Sequence, residues 1–221
     1  ISAPDTTSPI VCIAFSGTNY LFCVNEKGIL FVYSFKSLTN NPMNSLDLKC
    51  TPVSLVSSNK ILFYICNNTL FSISIDDLLS KKKEPQMLTK PNEETNNELS
   101  ISPCGRALCS FKIGETKPEI WFSPFRPKQF VTLPIQSELV GFQWGLSESL
   151  ICLTATKDGL VRIWTEQSDT LSLHQTAWFH FDSPIIFSTF SIPMNDNHQP
   201  QNYHSAQASN NFIYPSYKTY P

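Results

Sequence analysis

Glycine, charge and long apolar runs are all scarce in this sequence, and each shortage argues against a class of function. Seven glycines in 221 residues leave little material for phosphate-cradling loops, and no GxSxG, Walker or GxGxxG motif occurs. Charged residues make up only 15% of the chain, and a formal net charge of -2 gives no basic field for binding nucleic acid. No apolar run approaches the length of a membrane span.

Metal-binding and disulfide patterns are also missing. No CxxC pair occurs, and the cysteines number seven, an odd count, with most of them inside apolar runs. We therefore predict reduced core thiols in a cytoplasmic protein, rather than a disulfide framework or a zinc site. Two of the four histidines, His198 and His204, lie in a polar tail without Cys or carboxylate partners. Neither a metal nor a cofactor is predicted.

The chain opens on Ile1 rather than Met, and no signal-peptide pattern follows. We expect a soluble piece of a longer chain.

The clearest local signal lies in residues 149–166, SLICLTATKDGLVRIWTE. Two apolar runs, residues 150–155 and 160–164, flank a turn that contains Asp158 and Gly159. Asp and Gly tolerate the positive φ that tight turns require, and the runs are rich in residues that suit a pleated surface. This stretch therefore predicts two neighbouring antiparallel strands.

Similar units recur along the chain. Their hairpins end at Tyr33, Ile73, Trp121 and Trp164, so the intervals are 40, 48 and 43 residues. A repeat of roughly 40–45 residues with four short strands is typical of propeller blades. Apolar spacing at i, i+3 and i+4 is not sustained over a helix length, which argues against helical repeats.

The predicted fold class is all-β: a β-propeller fragment of about four four-stranded blades plus part of a fifth, within residues 1–192. The predicted blades span residues 10–50, 52–89, 98–133 and 138–181, and a fifth begins at 184–192. Residues 193–221 are rich in Asn, Gln, Ser, Pro and Tyr, and predict a low-complexity loop or insert with room for one further strand. A fragment of this kind should expose an apolar blade face at each end, where the remaining blades of a longer chain would pack.

The residues of the fourth unit resemble the second half of a WD40 repeat. Asp158 and Gly159 match the turn, and residues 161–164, VRIW, match the run that ends in Trp. In the third unit, residues 101–108, ISPCGRAL, resemble the exit of the first strand, and Trp121 keeps the Trp position. The resemblance implies divergent WD40-like blades over about residues 10–192.

WD40 repeats carry a buried network of a His, a Ser or Thr, the turn Asp and the Trp. The resemblance therefore implies structural roles for Thr156, Asp158 and Trp164, although no His stands at the expected place before Leu139. If the Asp158 carboxylate is buried, it must be hydrogen-bonded. If it is exposed, it serves only the geometry of the turn.

A narrower resemblance is carried by residues 142–144, FQW, and by the hairpin that follows them. Together they are similar to the N-terminal propellers of the rabconnectin/DmX-like proteins, whose family role is assembly of the vacuolar proton pump. This resemblance implies a cytoplasmic protein at the periphery of endomembranes, with other proteins of a multi-subunit complex as partners.

Residues 122–128, FSPFRPK, form the candidate partner-binding loop, with Phe125, Arg126 and Lys128 as its contact residues. Loops between blade strands emerge at a rim and carry function more often than strands do. The alternative is a stiff connector in which proline fixes the turn.

Two functions follow as hypotheses. The first is a non-enzymatic scaffold for protein partners. The second is a propeller subunit of an RNA-processing or other nucleoprotein complex, which would need a basic face around Arg106, Arg126 and Lys128. Catalysis is not predicted: the first-strand runs IVCIAFS and PVSLVS are mostly apolar, and Asp76 and Asp77 fit a turn or a helix cap better than acid–base chemistry.

Overall fold

A computed structural model describes residues 8–17, 19–36, 41–82, 84–89, 96–145, 149–167, 172–183 and 185. Within these ranges sixteen strands form four antiparallel sheets, each with four strands in chain order. The fold-class prediction of four four-stranded blades is confirmed. Residues 184 and 186–192, where the fifth blade was predicted, and the predicted low-complexity residues 193–221 lie outside the described residues.

The first two blades occupy the first part of the chain. Blade 1 consists of β1 (Ile10–Ser16), β2 (Tyr20–Asn25), β3 (Ile29–Ser34) and β4 (Asn44–Asp47). Blade 2 consists of β5 (Ser54–Ser57), β6 (Ile61–Cys66), β7 (Thr69–Ser74) and β8 (Gln86–Met87), with helix α1 (Ile75–Ser80) between β7 and β8.

The other two blades follow the same plan. Blade 3 consists of β9 (Glu98–Ile101), β10 (Ala107–Phe111), β11 (Glu119–Phe122) and β12 (Phe130–Thr132). Blade 4 consists of β13 (Leu139–Trp144), β14 (Ile151–Thr156), β15 (Leu160–Glu166) and β16 (Leu173–His180). The first strands of successive blades pack in chain order, β1 against β5, β5 against β9 and β9 against β13.

Turn chemistry explains why neighbouring strands pair as they do. The β6–β7 turn places Asn67 at φ 49° and Asn68 at φ 56°, and Asn accepts this left-handed region more readily than most residues. Helix α1 begins at its cap residue Ser74, whose hydroxyl accepts from the Asp77 N–H at 3.5 Å. Asp76 and Asp77 lie in the first turn, where a negative charge is favourable.

Three apolar clusters fill the three interfaces between consecutive blades. Strand alternation places every second apolar side chain of β2, β3 and β10 in one of these clusters and divides the side chains of β6 between two of them. Fully buried members include Phe22, Leu62, Phe63, Leu108 and Ile120. Each blade interface therefore has an apolar cluster of its own, and the stability of the array depends on the contact of each blade with its neighbour.

The face of blade 1 that points away from blade 2 is also apolar. Cys23, Phe31 and Tyr33 are buried there, whereas Ile13 and Phe15 are 57% and 54% exposed. Phe15 stacks on Phe35, with ring centroids 6.1 Å apart. We call this surface, made by alternate residues of β1, β2 and β3, the open face of blade 1.

None of the helices in the described ranges has the length and apolar character that a bilayer crossing requires.

The prediction that all cysteines are reduced is wrong for one pair. Cys50 and Cys66 form a disulfide, with their Cα atoms 6.2 Å apart. Cys50 follows β4 and Cys66 ends β6, so the bond joins the entry of blade 2 to one of its central strands. Among the described cysteines, Cys12, Cys23, Cys104, Cys109 and Cys152 are free thiols.

Alkylation should divide five of the seven cysteines into three classes. Cys104 is exposed. The part of its thiol that is buried raises its pKa, but hydrogen bonds with Ser102 and Arg106 and the positive charge of Arg106 lower the pKa by more, so that it lies below its usual value. Burial raises the pKa of Cys109 and of Cys152. We expect Cys104 to react with iodoacetamide at least about a hundredfold faster than these two, which require strand opening.

Peptide mapping by mass spectrometry, with and without prior reduction, measures these classes. Cys50 and Cys66 should be labelled only after reduction. Labelling of both without a reductant would contradict the disulfide, and equal rates at Cys104 and Cys152 would contradict the difference in burial.

Candidate functional site

The hairpin of β14 and β15 places its polar side chains on the face that packs against blade 3. The Trp164 indole N–H donates to the Thr154 hydroxyl at 2.9 Å, and both side chains are buried. The partner of the indole is thus Thr154, while Thr156, the residue implied by the WD40 resemblance, lies one step further along the same face of β14.

Thr156 instead belongs to a second group of hydrogen bonds. Its hydroxyl lies 2.6 Å from a carboxylate oxygen of Asp158, and Arg162 donates to the Thr156 oxygen at 3.0 Å. Arg162 is buried, whereas Asp158 is exposed. Slight burial of Asp158 raises its pKa. Hydrogen bonds from the Thr156 hydroxyl and the Leu160 N–H, and the positive charge of Arg162, lower the pKa by more, so that the pKa of Asp158 lies below its usual value. This group fixes the geometry of the turn.

Two further residues that sequence analysis singled out have clear positions. Gly159 has φ 87° and lies buried against the backbone of Phe181. Trp121 is fully buried between blades 2 and 3, and its indole N–H has no hydrogen-bond partner among the described residues. Trp121 and Trp164 thus occupy equivalent positions in their blades, but among the described residues only the indole N–H of Trp164 has a hydrogen-bond partner.

Sequence reasoning missed Thr154 and Arg162. A signal for both was present, because alternation along VRIW puts Arg162 on the same face as Trp164, and alternation along LTAT puts Thr154 with Thr156. A buried arginine on that face requires an oxygen partner nearby.

The loop between β11 and β12 is anchored in the core. Phe125 is buried and meets Phe63 of blade 2 edge-to-face, with ring centroids 4.8 Å apart. The Lys128 N–H donates to the Leu88 carbonyl at 3.1 Å, which ties the loop to blade 2 a second time. Of the three candidate contact residues, Phe125 therefore holds the loop in place, and Arg126 and Lys128 present exposed side chains.

A cavity of about 350 Å³ opens beside this loop. Phe122, Phe130 and Val131 supply apolar walls. Pro124, which follows a cis peptide bond, and the polar residues Arg126 and Gln129 complete the lining. This volume is at the lower end of the range of ~300–1,000 Å³ for ligand pockets.

A second cavity of about 150 Å³ shares the Phe122 wall and lies between blades 3 and 4. Arg106 and Glu166 line it and form a bidentate ion pair across the blade interface. Arg106 Nη1 donates to Glu166 Oε1 at 3.0 Å, and Arg106 Nη2 donates to Glu166 Oε2 at 2.9 Å. Ser123 and Leu150 complete the lining of this second cavity.

In the ranges that the structure describes, no three His, Cys, Asp or Glu side chains cluster as a metal site would require.

Comparison with known proteins gives the fold. No protein-family model and no curated protein sequence matches the chain. Solved structures do match. A chain in the crystal structure of a mitotic checkpoint complex has a TM-score of 0.54 at 14% identity, over 82% of this chain and 55% of its own.

Two further structures agree. The β-propeller domain of Myceliophteria thermophila Cps50 (Swd1) has a TM-score of 0.54 at 9% identity, over 78% of this chain and 60% of its own. Kluyveromyces lactis Hsv2p has a TM-score of 0.52 at 9% identity, over 73% of this chain and 50% of its own. The chain thus spans between 50% and 60% of the length of these solved chains. With its four sequential four-stranded blades, it has the fold of a WD40-like β-propeller.

Proposed function

We propose that the chain is a non-catalytic scaffold that binds other proteins through the rim of a WD40-like propeller. The observation that carries this proposal is the β11–β12 loop. Phe125 and the Lys128 backbone fix it against blade 2, while Arg126 and Lys128 face solvent beside an open apolar cavity. Rigid loops on a stable framework are the usual way in which a propeller presents a binding surface.

Further blades are the second partner that we propose. The open face of blade 1 exposes about half of the Ile13 and Phe15 side chains, which is unusual for a surface left in water. Another sheet of the same ring would bury these side chains, because each blade hides its apolar faces only against its neighbours. The solved propellers extend beyond the part that this chain matches, which is consistent with a larger ring.

The narrower proposal is a cytoplasmic role at endomembranes in assembly of a vacuolar proton pump. Its support is the resemblance of residues 142–166 to the rabconnectin/DmX-like propellers.

Affinity capture tests the proposed function. The longer chain that we propose is isolated from native cytosol beside the same chain lacking residues 1–221, and the bound proteins are quantified by mass spectrometry. We expect a defined set of proteins to decrease at least about tenfold on deletion, since loss of a rim contact worth 1.4 kcal/mol already gives this factor.

Proton-pump subunits in that set would support the narrower proposal. Ribonucleoprotein components that disappear on nuclease treatment would overturn the scaffold proposal in favour of the nucleoprotein alternative. Identical sets for the two chains would also contradict it.

A further inference from the structure

The outer strand of blade 4 differs from the outer strands of the other three blades. β16 has eight residues, whereas β4, β8 and β12 have four, two and three. It pairs with β15 on one side, and no strand of the described residues pairs with its other side. Its sequence, LHQTAWFH, contains no Lys, Arg, Asp, Glu or Pro, the residues with which natural proteins protect an exposed edge. β16 is therefore a long sheet edge that is open to pairing.

The backbone groups in the second half of β16 have a defined direction. The Phe181 N–H donates to the Gly159 carbonyl at 2.9 Å, so it faces β15. The same register continues from this pair back to Ala177, which lies beyond the bulge of the strand. Since the direction of the N–H alternates along a strand, the N–H and C=O groups of Trp178 and His180 point away from β15. This half of β16 therefore presents two regularly spaced residues to an incoming strand.

Two aromatic side chains stand on this edge, one on each face of the sheet. Trp178 lies across from Arg162 and Phe179 lies across from Val161, so alternation places the two rings on opposite faces. Trp178 is 59% exposed and Phe179 is 45% exposed. Exposed rings beside outward-facing backbone groups are available to a strand that adds to the edge.

From this edge we infer that β16 pairs antiparallel with β16 of a second copy of this chain. A two-fold axis through Phe179, perpendicular to the sheet, places Phe179 opposite its own copy and Trp178 opposite His180 of the second copy. Trp178 and His180 then exchange backbone hydrogen bonds on both sides of the axis, and the two sheets become one continuous sheet. The inference goes beyond the scaffold function, because it concerns assembly of the chain and not what the rim binds.

The composition of β16 favours its own copy as the occupant of the edge. Trp178 and His180 are both aromatic and lie on one face, so the two-fold arrangement forms two aromatic pairs there and a pair of Phe179 rings on the other face. Because the strand has no Asp, Glu, Lys or Arg, no like charges of those residues meet across the axis. A two-fold contact of this kind closes at two chains, so we expect a dimer and no longer polymer.

Analytical ultracentrifugation of the purified chain tests the inference. We expect the mass to rise with concentration from one chain to two chains and no further. Phe179→Lys replaces the ring pair at the axis by two facing ammonium groups, so the dissociation constant of the dimer should rise at least about tenfold. Val131→Lys is the matched control, because Val131 lies on β12, the outer strand of blade 3, and is also exposed. The affinity should be unchanged in this control.

A proline substitution tests the backbone hydrogen bonds. Because the His180 N–H points away from β15, His180→Pro leaves the β15–β16 ladder intact and removes one edge donor from each chain of the dimer. We expect the dissociation constant to rise at least about tenfold. His180→Ala removes the same side chain but keeps the N–H, so it should weaken the dimer only about threefold. Circular dichroism confirms that each variant is folded.

Cysteine cross-linking tests the register. In the inferred pairing the two Phe179 Cα atoms are about 4.5 Å apart, which a disulfide can span, whereas the two Trp178 Cα atoms are more than about 7 Å apart, which it cannot. Both variants carry Cys104→Ser, because Cys104 is exposed. On mild oxidation Phe179→Cys should give a covalent dimer on a non-reducing gel, and Trp178→Cys should remain mostly monomeric.

Several results would overturn the inference: a monomer at every concentration, equal effects of Phe179→Lys and Val131→Lys, or equal effects of His180→Pro and His180→Ala. Association that is lost in Ile13→Lys but kept in Phe179→Lys would also overturn it, since the contact would then lie on the open face of blade 1. Failure of the scaffold proposal is distinguishable from these outcomes. Partners captured from cytosol and lost on deletion of residues 1–221 would leave that proposal standing even if the chain were monomeric.

Discussion

Gly159→Ala is expected to lower the free energy of unfolding by about 3–5 kcal/mol, near the upper end for a single substitution. Gly159 has φ 87°, a conformation that costs a residue with a Cβ about 1–2 kcal/mol. A Cβ would also collide with the backbone carbonyl oxygen of Phe181, which cannot rotate away as a side chain could. The Phe181 N–H donates to the Gly159 carbonyl at 2.9 Å, so separating the two segments also weakens this bond.

Urea denaturation followed by tryptophan fluorescence measures the effect, because Trp164 lies in the same blade. Gly114→Ala is the matched control. Gly114 has φ 88°, almost the same as Gly159, but an added Cβ there meets nothing within 4 Å. The Gly114→Ala variant should therefore lose only about 1–2 kcal/mol of unfolding free energy, which is the cost of placing a residue with a Cβ at this positive φ. Equal losses in the two variants would show that the collision with Phe181 contributes nothing.

The hairpin that contains Gly159 was predictable because its signals are local. The Asp-Gly turn and two short apolar runs are each decided by residues within a few positions of one another. The same holds for the Asn67-Asn68 turn and for the repeat of about 40–45 residues, which needs only a count along the chain. These signals were enough to predict four blades.

Contacts between segments that are far apart in the chain were not predictable in this way. Cys50 and Cys66 are 16 positions apart and lie in different elements, so the spacing in sequence does not tell whether their sulfur atoms meet. Phe125 stands among prolines and cations in a loop, and only packing against Phe63 of the preceding blade makes it a core residue. The first fact depends on how the segment before β5 packs against β6, and the second on how consecutive sheets stack.

The choice between Thr154 and Thr156 shows a second limit. Both residues lie on the same face of β14, so alternation alone cannot tell which of them meets the indole of Trp164. The register decides: Cys152 is directly opposite Trp164, and Thr154 is directly opposite Arg162. The Trp164 indole reaches diagonally to Thr154, while Arg162 reaches diagonally to Thr156.

Trp164→Phe is expected to be about 1–3 kcal/mol more destabilising than Trp121→Phe. Both tryptophans are at least 98% buried, and both changes leave a similar void where the larger ring was. They differ in one respect. Trp164→Phe removes the hydrogen bond to Thr154 and leaves a buried hydroxyl without its donor, whereas Trp121→Phe removes an indole N–H that has no partner among the described residues. Burying an indole N–H without a partner is unfavourable. Its removal in Trp121→Phe therefore offsets part of the stability that this variant loses through poorer packing.

Urea titrations of both variants give this difference directly, and a double-mutant cycle assigns it to the hydrogen bond. Thr154→Val keeps the shape of the side chain and removes the acceptor, so it should cost about 1–2 kcal/mol by itself. In the double variant Thr154→Val with Trp164→Phe, neither partner remains to be left unsatisfied, and the combined loss should fall short of the sum by about 1 kcal/mol. Strict additivity, or equal losses for Trp164→Phe and Trp121→Phe, would mean that the 2.9 Å contact contributes nothing to stability. A coupling of the expected size would instead show that the hydrogen bond between Trp164 and Thr154 stabilises the interface of blade 4 with blade 3, whereas the indole N–H at the equivalent position of blade 3 has no partner among the described residues.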